Sequence, residues 1–376
     1  MSGLSRPPKP RGAPGKSNMG EASHTSTQEL GHIEEDTITG DESSASPEAA
    51  ESRATVAEAL TKQADSRYGP LPWSNYFDEE RDVEIAGTTD MFHVYSAGKE
   101  GPVLLCLHGG GYTGVSFATA AAHMKATCRV IAPDLRGHGR TRTSDDADLS
   151  AETLCEDTVR IFTTMFGDKK EDQPPVVLIG HSMGGAIAAR TAALRKLPTL
   201  AALVVIDVVE GTAMSSLAFM QGVLAQRPSS FPSLDEAIRW AHRTSAVRNE
   251  ESARVSVPSQ MVRKENPERY EWRAQLKESE PHWAGWYQGL SDVFLAVPVP
   301  KLLLLAGTDR MDKPLTIGQM QGKFQMTIFK TAGHAIHEDE PEQFSETVLG
   351  FVSRHRIGQG ALEISALKWG SKTLHR

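Results

Sequence analysis

Residues 175–194 read PVVLIGHSMGGAIAARTAAL: an apolar run that ends at a glycine-framed serine and resumes as an alanine-rich stretch. Within it, Gly180-His181-Ser182-Met183-Gly184 matches the pattern G-x-S-x-G. At this glycine content about 0.2 such matches would arise by chance, so the weight rests on context. PVVLIG has the length and continuity of a buried strand, and MGGAIAARTAAL that of a helix, which is the strand-turn-helix setting that holds a serine in a tight elbow. Small residues at Gly180, Gly184 and Gly185 let the two backbones approach inside the turn. Ser182 is then expected at the top edge of the sheet, at a helix N-terminus that favours developing negative charge. The competing reading is a glycine-rich connection whose serine merely caps the helix.

Working outward, further strand-length runs occupy 81–86, 91–96, 102–109, 129–135, 200–209, 300–307 and 324–331, and helical patterns lie near 116–126, 150–166 and 341–355. Continuous apolar strands alternating with helices imply an α/β fold, a mostly parallel, doubly wound sheet covered on both faces. The alternation fails between about 211 and 290, where four of the six tryptophans (Trp240, Trp272, Trp283 and Trp286) lie on helical stretches. An insertion between two strands of one sheet reads as a cap over their carboxyl ends, where ligands sit in such folds. The charged segment 263–280, RKENPERYEWRAQLKESE, reads as an exposed loop or helix rim. Residues 1–65 have no aromatic residue and neither helical nor strand periodicity, which is the composition of a disordered tail. The expected organisation is this tail, a catalytic domain over 66–357 and a C-terminal tail over 358–376.

A serine hydroxyl is a poor nucleophile until a base takes its proton, and that base must be oriented by a carboxylate. His334, in KTAGHAIHEDEPEQF, follows the last strand and precedes the last helix, as the order nucleophile, acid, histidine requires. His337 is the nearest rival. The pair also has HxxH spacing, but no further ligand cluster supports a metal, and Glu338 to Pro341 read as a helix N-terminus. Two acids compete: Asp207 at the end of LAALVVID and Asp309 in the turn after KLLLLAG. Residue physics leaves that choice open, although the commoner position in this architecture is that of Asp309. The run Leu107-His108-Gly109-Gly110-Gly111 matches the HGGG-type loop that donates one N–H to an oxyanion hole, with Met183 donating the other, so Gly110, Gly111 and Met183 are the expected oxyanion and substrate-binding residues. Asp134 and His138, in the turn DLRGHG, are expected to be structural.

Composition excludes other classes. Lys and Arg number 40 against 48 Asp and Glu, a net charge of −8 with no basic stripe, so nucleic acid is a poor partner. No apolar run reaches membrane-spanning length, and the N-terminus lacks the apolar core of a signal peptide. Cys106, Cys128 and Cys155 form neither a disulfide framework nor a CxxC motif, which suits a reducing compartment, cytoplasmic or nuclear.

Together LHGGG, APDLRGHGRT, GHSMGG and GHAIHEDEP resemble the α/β-hydrolase superfamily. More narrowly, WSNYF (73–77), VIDVVEGTAM (205–214), RNEESARVSVPSQ (248–260), AGTDRMDKPLTIGQMQGKFQM (306–326) and GHAIHED (333–339) resemble the protein phosphatase methylesterase family, over about 70–357. The resemblance implies a serine esterase that removes the methyl ester from the C-terminal leucine of the protein phosphatase 2A catalytic subunit. It implies a triad of Ser182, Asp207 and His334, with Asp309 demoted to a turn residue. The cap lacks the long acidic insertion that some members of that family carry. The expected chemistry is acyl transfer through Ser182, with no metal or organic cofactor. The rival readings are a small-molecule carboxylesterase or lipase, and a non-catalytic phosphatase-binding protein.

Overall fold

The computed structural model describes residues 67–307 and 311–359. The expectations for the tail 1–65, for Asp309 and for the chain beyond 359 fall outside them. In chain order the strands are β1 (Glu79–Glu84), β2 (Met91–Ala97), β3 (Val103–Leu107), β4 (Arg129–Pro133), β5 (Val176–His181), β6 (Leu200–Ile206), β7 (Ser230–Phe231), β8 (Met261–Lys264), β9 (Arg269–Trp272), β10 (Lys301–Leu305) and β11 (Gln325–Ile328). Eight of them form one sheet in the order β1-β2-β4-β3-β5-β6-β10-β11. β1 and β2 pair antiparallel, β2 pairs antiparallel with β4, and the rest run parallel.

β3 and β5 are buried along their whole length, so successive side chains feed two cores. Val176 and Leu178 pack with Leu154, Ile161 and Ile187 beneath the helices Ala151–Phe166 and Met183–Leu194. Val177 and Ile179 pack on the other face with Ala118, Met124, Phe344 and Phe351 of the helices Ala118–Met124 and Pro341–Arg354. This two-sided burial is why the strands read as continuous apolar runs. The chain leaves β3 toward β4 on one side and returns as β5 on the other, so the strand order reverses between β3 and β5. Their carboxyl ends flank the crevice that such a reversal opens.

The cap spans the chain between β6 and β10. It contains the helices Glu210–Ala225, Leu234–Arg243, Glu250–Ser256 and Glu280–Tyr287, but also a sheet ordered β7-β9-β8 that the sequence did not suggest. The stretch expected as a loop or helix rim therefore includes a hairpin, in which Val262 pairs with Glu271 and Lys264 with Arg269. Each of its two strands has only four residues, two of them charged, too short for the alternation in Arg269–Trp272 to mark a strand. Tertiary packing decides the matter: Trp240, Met261 and Trp272 close over Phe231, Ile238 and Val257 in a separate small core.

Candidate active site

Ser182 follows β5 directly and precedes the helix Met183–Leu194. Its φ of 52° and ψ of −119° lie outside the regions an L-residue prefers, and its side chain makes no capping bond, so the simple helix-cap reading fails. The turn is held from below: the Ser182 N–H donates to Ile206 O (2.9 Å), and its carbonyl accepts from Gly185 N (2.9 Å) and Ala186 N (3.1 Å). A Cβ on Gly180 would lie 2.1 Å from Gly184 O, and one on Gly184 would lie 2.3 Å from Leu107 O. Only glycine permits so close a crossing. The Oγ is thereby presented to a crevice rather than to the core.

Asp207 caps the next strand, also at positive φ (51°). Its fully buried carboxylate accepts His334 Nδ1–H at 2.8 Å through Oδ2 and Ala306 N–H at 2.9 Å through Oδ1. That pairing fixes the imidazole tautomer with Nε2 unprotonated, as a general base requires. The loop bearing His334 is pinned twice more. His181 Nε2 donates to His334 O at 2.9 Å, with the two rings 4.7 Å apart, and Asp339 Oδ2 accepts Gly333 N–H at 2.6 Å. His337, the rival base, is buried against Phe117 with its Nε2 3.3 Å from Ser116 Oγ. Burial drops its pKa to about 3, so it is a neutral core residue that does not meet Asp207.

The expected oxyanion loop lies beside the serine, since a Cβ on Gly109 would approach Ser182 Cβ to 3.3 Å. Two histidines lace it to the loop after β4. His108 Nε2 accepts Leu135 N–H and His138 Nε2 accepts Gly111 N–H, each at 2.9 Å, with the rings 4.9 Å apart. His138 Nδ1 donates to Arg136 O at 2.8 Å, and burial lowers its pKa to about 4, keeping Nε2 an acceptor. The N–H of Gly111, expected among the oxyanion and substrate-binding residues, is thus committed to His138. Among the described residues, the N–H groups of Gly110 and Met183 have no partner. Asp134 accepts Gly114 N–H and Arg140 N–H, both at 2.8 Å, which makes it the structural residue expected.

Ser182, Met183, Gly110 and His334 line one cavity of about 230 Å³, closed by Leu217, Met220, Leu224, Leu276, Trp283, Trp286 and Tyr287 of the cap. The tryptophans are buried with their N–H groups satisfied, Trp283 Nε1 on Ser279 Oγ (2.8 Å) and Trp286 Nε1 on Leu149 O (2.7 Å). The buried Tyr287 hydroxyl faces that of Ser182, and burial pushes its pKa up to about 12, so it stays an O–H donor. Nothing in the local sequence around Tyr287 marked it for the site. No hydrogen bond joins Ser182 Oγ to His334, although both residues line the same cavity.

The model of the alpha/beta hydrolase family matches residues 104–347. Protein phosphatase methylesterase 1 of Mus musculus is 45% identical over 339 residues, covering 78% of this chain and 86% of the relative. A probable protein phosphatase methylesterase 1 of Caenorhabditis elegans is 50% identical over 292 residues, covering 77% and 79%. The chain belongs to the protein phosphatase methylesterase family. This methylesterase-family chain is a hydrolase acting on an ester bond, built on the alpha/beta hydrolase fold. Among solved structures it is similar to E-2-(acetamidomethylene)succinate hydrolase (TM-score 0.60, 19% identity, 73% of this chain and 99% of that one) and to an M. tuberculosis esterase (TM-score 0.55, 21% identity, 78% and 98%). At those identities the likeness speaks for the fold alone.

Proposed function

We propose that this methylesterase removes the methyl ester from the C-terminal leucine of the protein phosphatase 2A catalytic subunit, through an acyl-enzyme on Ser182. The observation that carries the reading is the strained serine sharing a small apolar cavity with a histidine whose tautomer is fixed by a buried carboxylate. At about 230 Å³ the cavity lies below the roughly 300–1,000 Å³ usual for whole small-molecule ligands. It suits one apolar side chain and its ester, presented by a larger partner that stays outside. The relatives' names supply the phosphatase as that partner.

In this mechanism His334 Nε2 takes the Ser182 proton as Oγ attacks the ester carbonyl, and Asp207 balances the imidazolium. Gly110 and Met183 N–H groups meet the oxyanion, aided by the helix N-terminus behind Met183. His334 returns its proton to departing methanol, then activates the water that frees the carboxylate. The proton transfer requires Ser182 Oγ to come within hydrogen-bond reach of His334 Nε2 during the reaction. The test compares kcat/KM for the methylated phosphatase with that for p-nitrophenyl esters. Contacts outside the cavity should raise kcat as well as affinity for the protein substrate. Equal kcat/KM values would favour a general carboxylesterase instead.

A further inference from the structure

Arg227 stands just beyond the cap helix Glu210–Ala225 and lies over the Trp272 ring, 3.8 Å from its centroid. The side chain is partly buried, yet among the described residues it has neither a hydrogen-bond acceptor nor a carboxylate partner. Other buried or half-buried arginines differ: Arg273 reaches Asp146 at 3.4 Å, Arg239 reaches Glu236 at 2.5 Å, and Arg136 is held by Asp157 at 2.8 Å. A half-desolvated guanidinium with five unmet donors is costly to keep unless an anion completes it. Burial accordingly pulls its pKa down, although the group stays charged.

Its position relates it to the substrate. Arg227 lines the catalytic cavity with Ser182 and His334, and it also lines an adjoining cavity of about 440 Å³ that shares Gly110, Tyr112 and Val223. Among the residues that line the second cavity, Arg227 alone is charged, beside Trp240 and Trp272. It also comes within 3.7 Å of where a Gly111 Cβ would lie, next to the oxyanion loop. A chain whose terminal residue fills the catalytic cavity would leave past this guanidinium. A third neighbouring cavity, of about 390 Å³, also touches Arg227, but it is lined by Glu271 and Glu278 as well as Lys277 and does not include the oxyanion loop.

We propose that Arg227 is a specificity-determining residue, which takes the carboxylate of an acidic side chain in the few residues preceding the methyl-esterified terminus. The inference rests on the peptide-ester reading above. A single stacked fork matches one carboxylate, which it can hold through two parallel bonds. Such a desolvated, charge-assisted contact is worth about 10- to 100-fold in affinity.

The experiment uses the full chain and peptides ending in leucine methyl ester, with Asp or Asn at each of the three preceding positions. The wild type should favour Asp over Asn at one position by about 10- to 100-fold in kcat/KM, mostly through KM. Arg227→Gln should erase that ratio, and Arg227→Lys should keep only part of it. A wild type indifferent to Asp, or an Arg227→Gln that keeps the ratio, overturns the proposal. So does an Arg227→Gln that alters only inhibition by the free-acid product peptide, which would assign the arginine to the released carboxylate. If Arg227→Gln does not fold, the wild-type ratio must fall with rising salt, and a salt-independent ratio overturns it equally. p-Nitrophenyl hemisuccinate against p-nitrophenyl acetate gives the same ratio without a peptide. Arg227-dependent preference for the hemisuccinate, with every methyl-ester peptide refused, would sink the peptide-ester reading and leave the arginine's role standing.

Discussion

Replacing Asp207 by Asn changes one atom in a site whose hydrogen bonds dictate the outcome. Among the described residues, the carboxylate accepts from His334 Nδ1–H at 2.8 Å and from Ala306 N–H at 2.9 Å. An amide can accept on only one side. With its oxygen kept on Ala306, its NH₂ faces His334 Nδ1 and forces the proton to Nε2, where the base must be empty. With the amide flipped, NH₂ meets the Ala306 N–H, two buried donors face each other, and about 1–3 kcal/mol is lost. The backbone amide therefore selects the inactive tautomer. Loss of the correct tautomer costs about 10⁴-fold in kcat, or about 5.4 kcal/mol at 1.36 kcal/mol per decade. The assay is kcat and KM on a model ester, with a melting curve alongside. A folded Asp207→Asn that keeps more than about a tenth of wild-type kcat would refute the assignment and return the acid's role to Asp309.

Two further outcomes test the supports of the site. His138→Ala strips the acceptor from Gly111 N–H and should loosen the oxyanion loop, lowering kcat about 10- to 100-fold with little change in KM; an unchanged kcat would show that the lacing is dispensable. Burial brings His138 to about 4 and His337 to about 3, and holds His108 and His181 well below the usual imidazole range. These folded pKa values lie below the unfolded value of about 6.5, so the stability from neutral imidazole is whole above that pH and drains as pH falls toward the folded values. Asp134, raised to about 6, and Asp157, Glu338 and Asp339, also raised by burial, act in the opposite sense; Arg136 offsets the rise at Asp157, and backbone N–H groups offset that at Asp339. Unfolding free energy from urea titration should therefore rise between about pH 5 and about pH 7, and a falling profile would contradict the burial of neutral histidines.

The sheet was legible because β3, β5, β6 and β10 are nearly or wholly buried on both faces, and such strands have no choice but to be continuously apolar. Ser182 was legible for a related reason: the elbow needs glycine at fixed offsets, and glycine is visible in a sequence. Asp207 against Asp309 was not decidable from residue physics, because either strand end could meet the histidine loop. A single 2.8 Å contact pairs Asp207 with His334. The lacing by His108 and His138 was missed because it joins two loops through side-chain nitrogens on backbone amides, a relation with no periodicity. The same holds for Tyr287 and Arg227, which reach the cavity from a cap whose β8 and β9 have only four residues each.

Cleavage of a methyl ester on the phosphatase tail by Ser182 is the step to be measured. The most direct measurement is the C-terminal mass of methylated protein phosphatase 2A catalytic subunit after incubation with the wild type and with Ser182→Ala. The expected result is loss of one methyl group with the wild type, and none with a folded Ser182→Ala, whose kcat should drop by about 10⁴-fold or more. A wild type that leaves the ester intact, or a Ser182→Ala that removes it at the wild-type rate, would contradict the account.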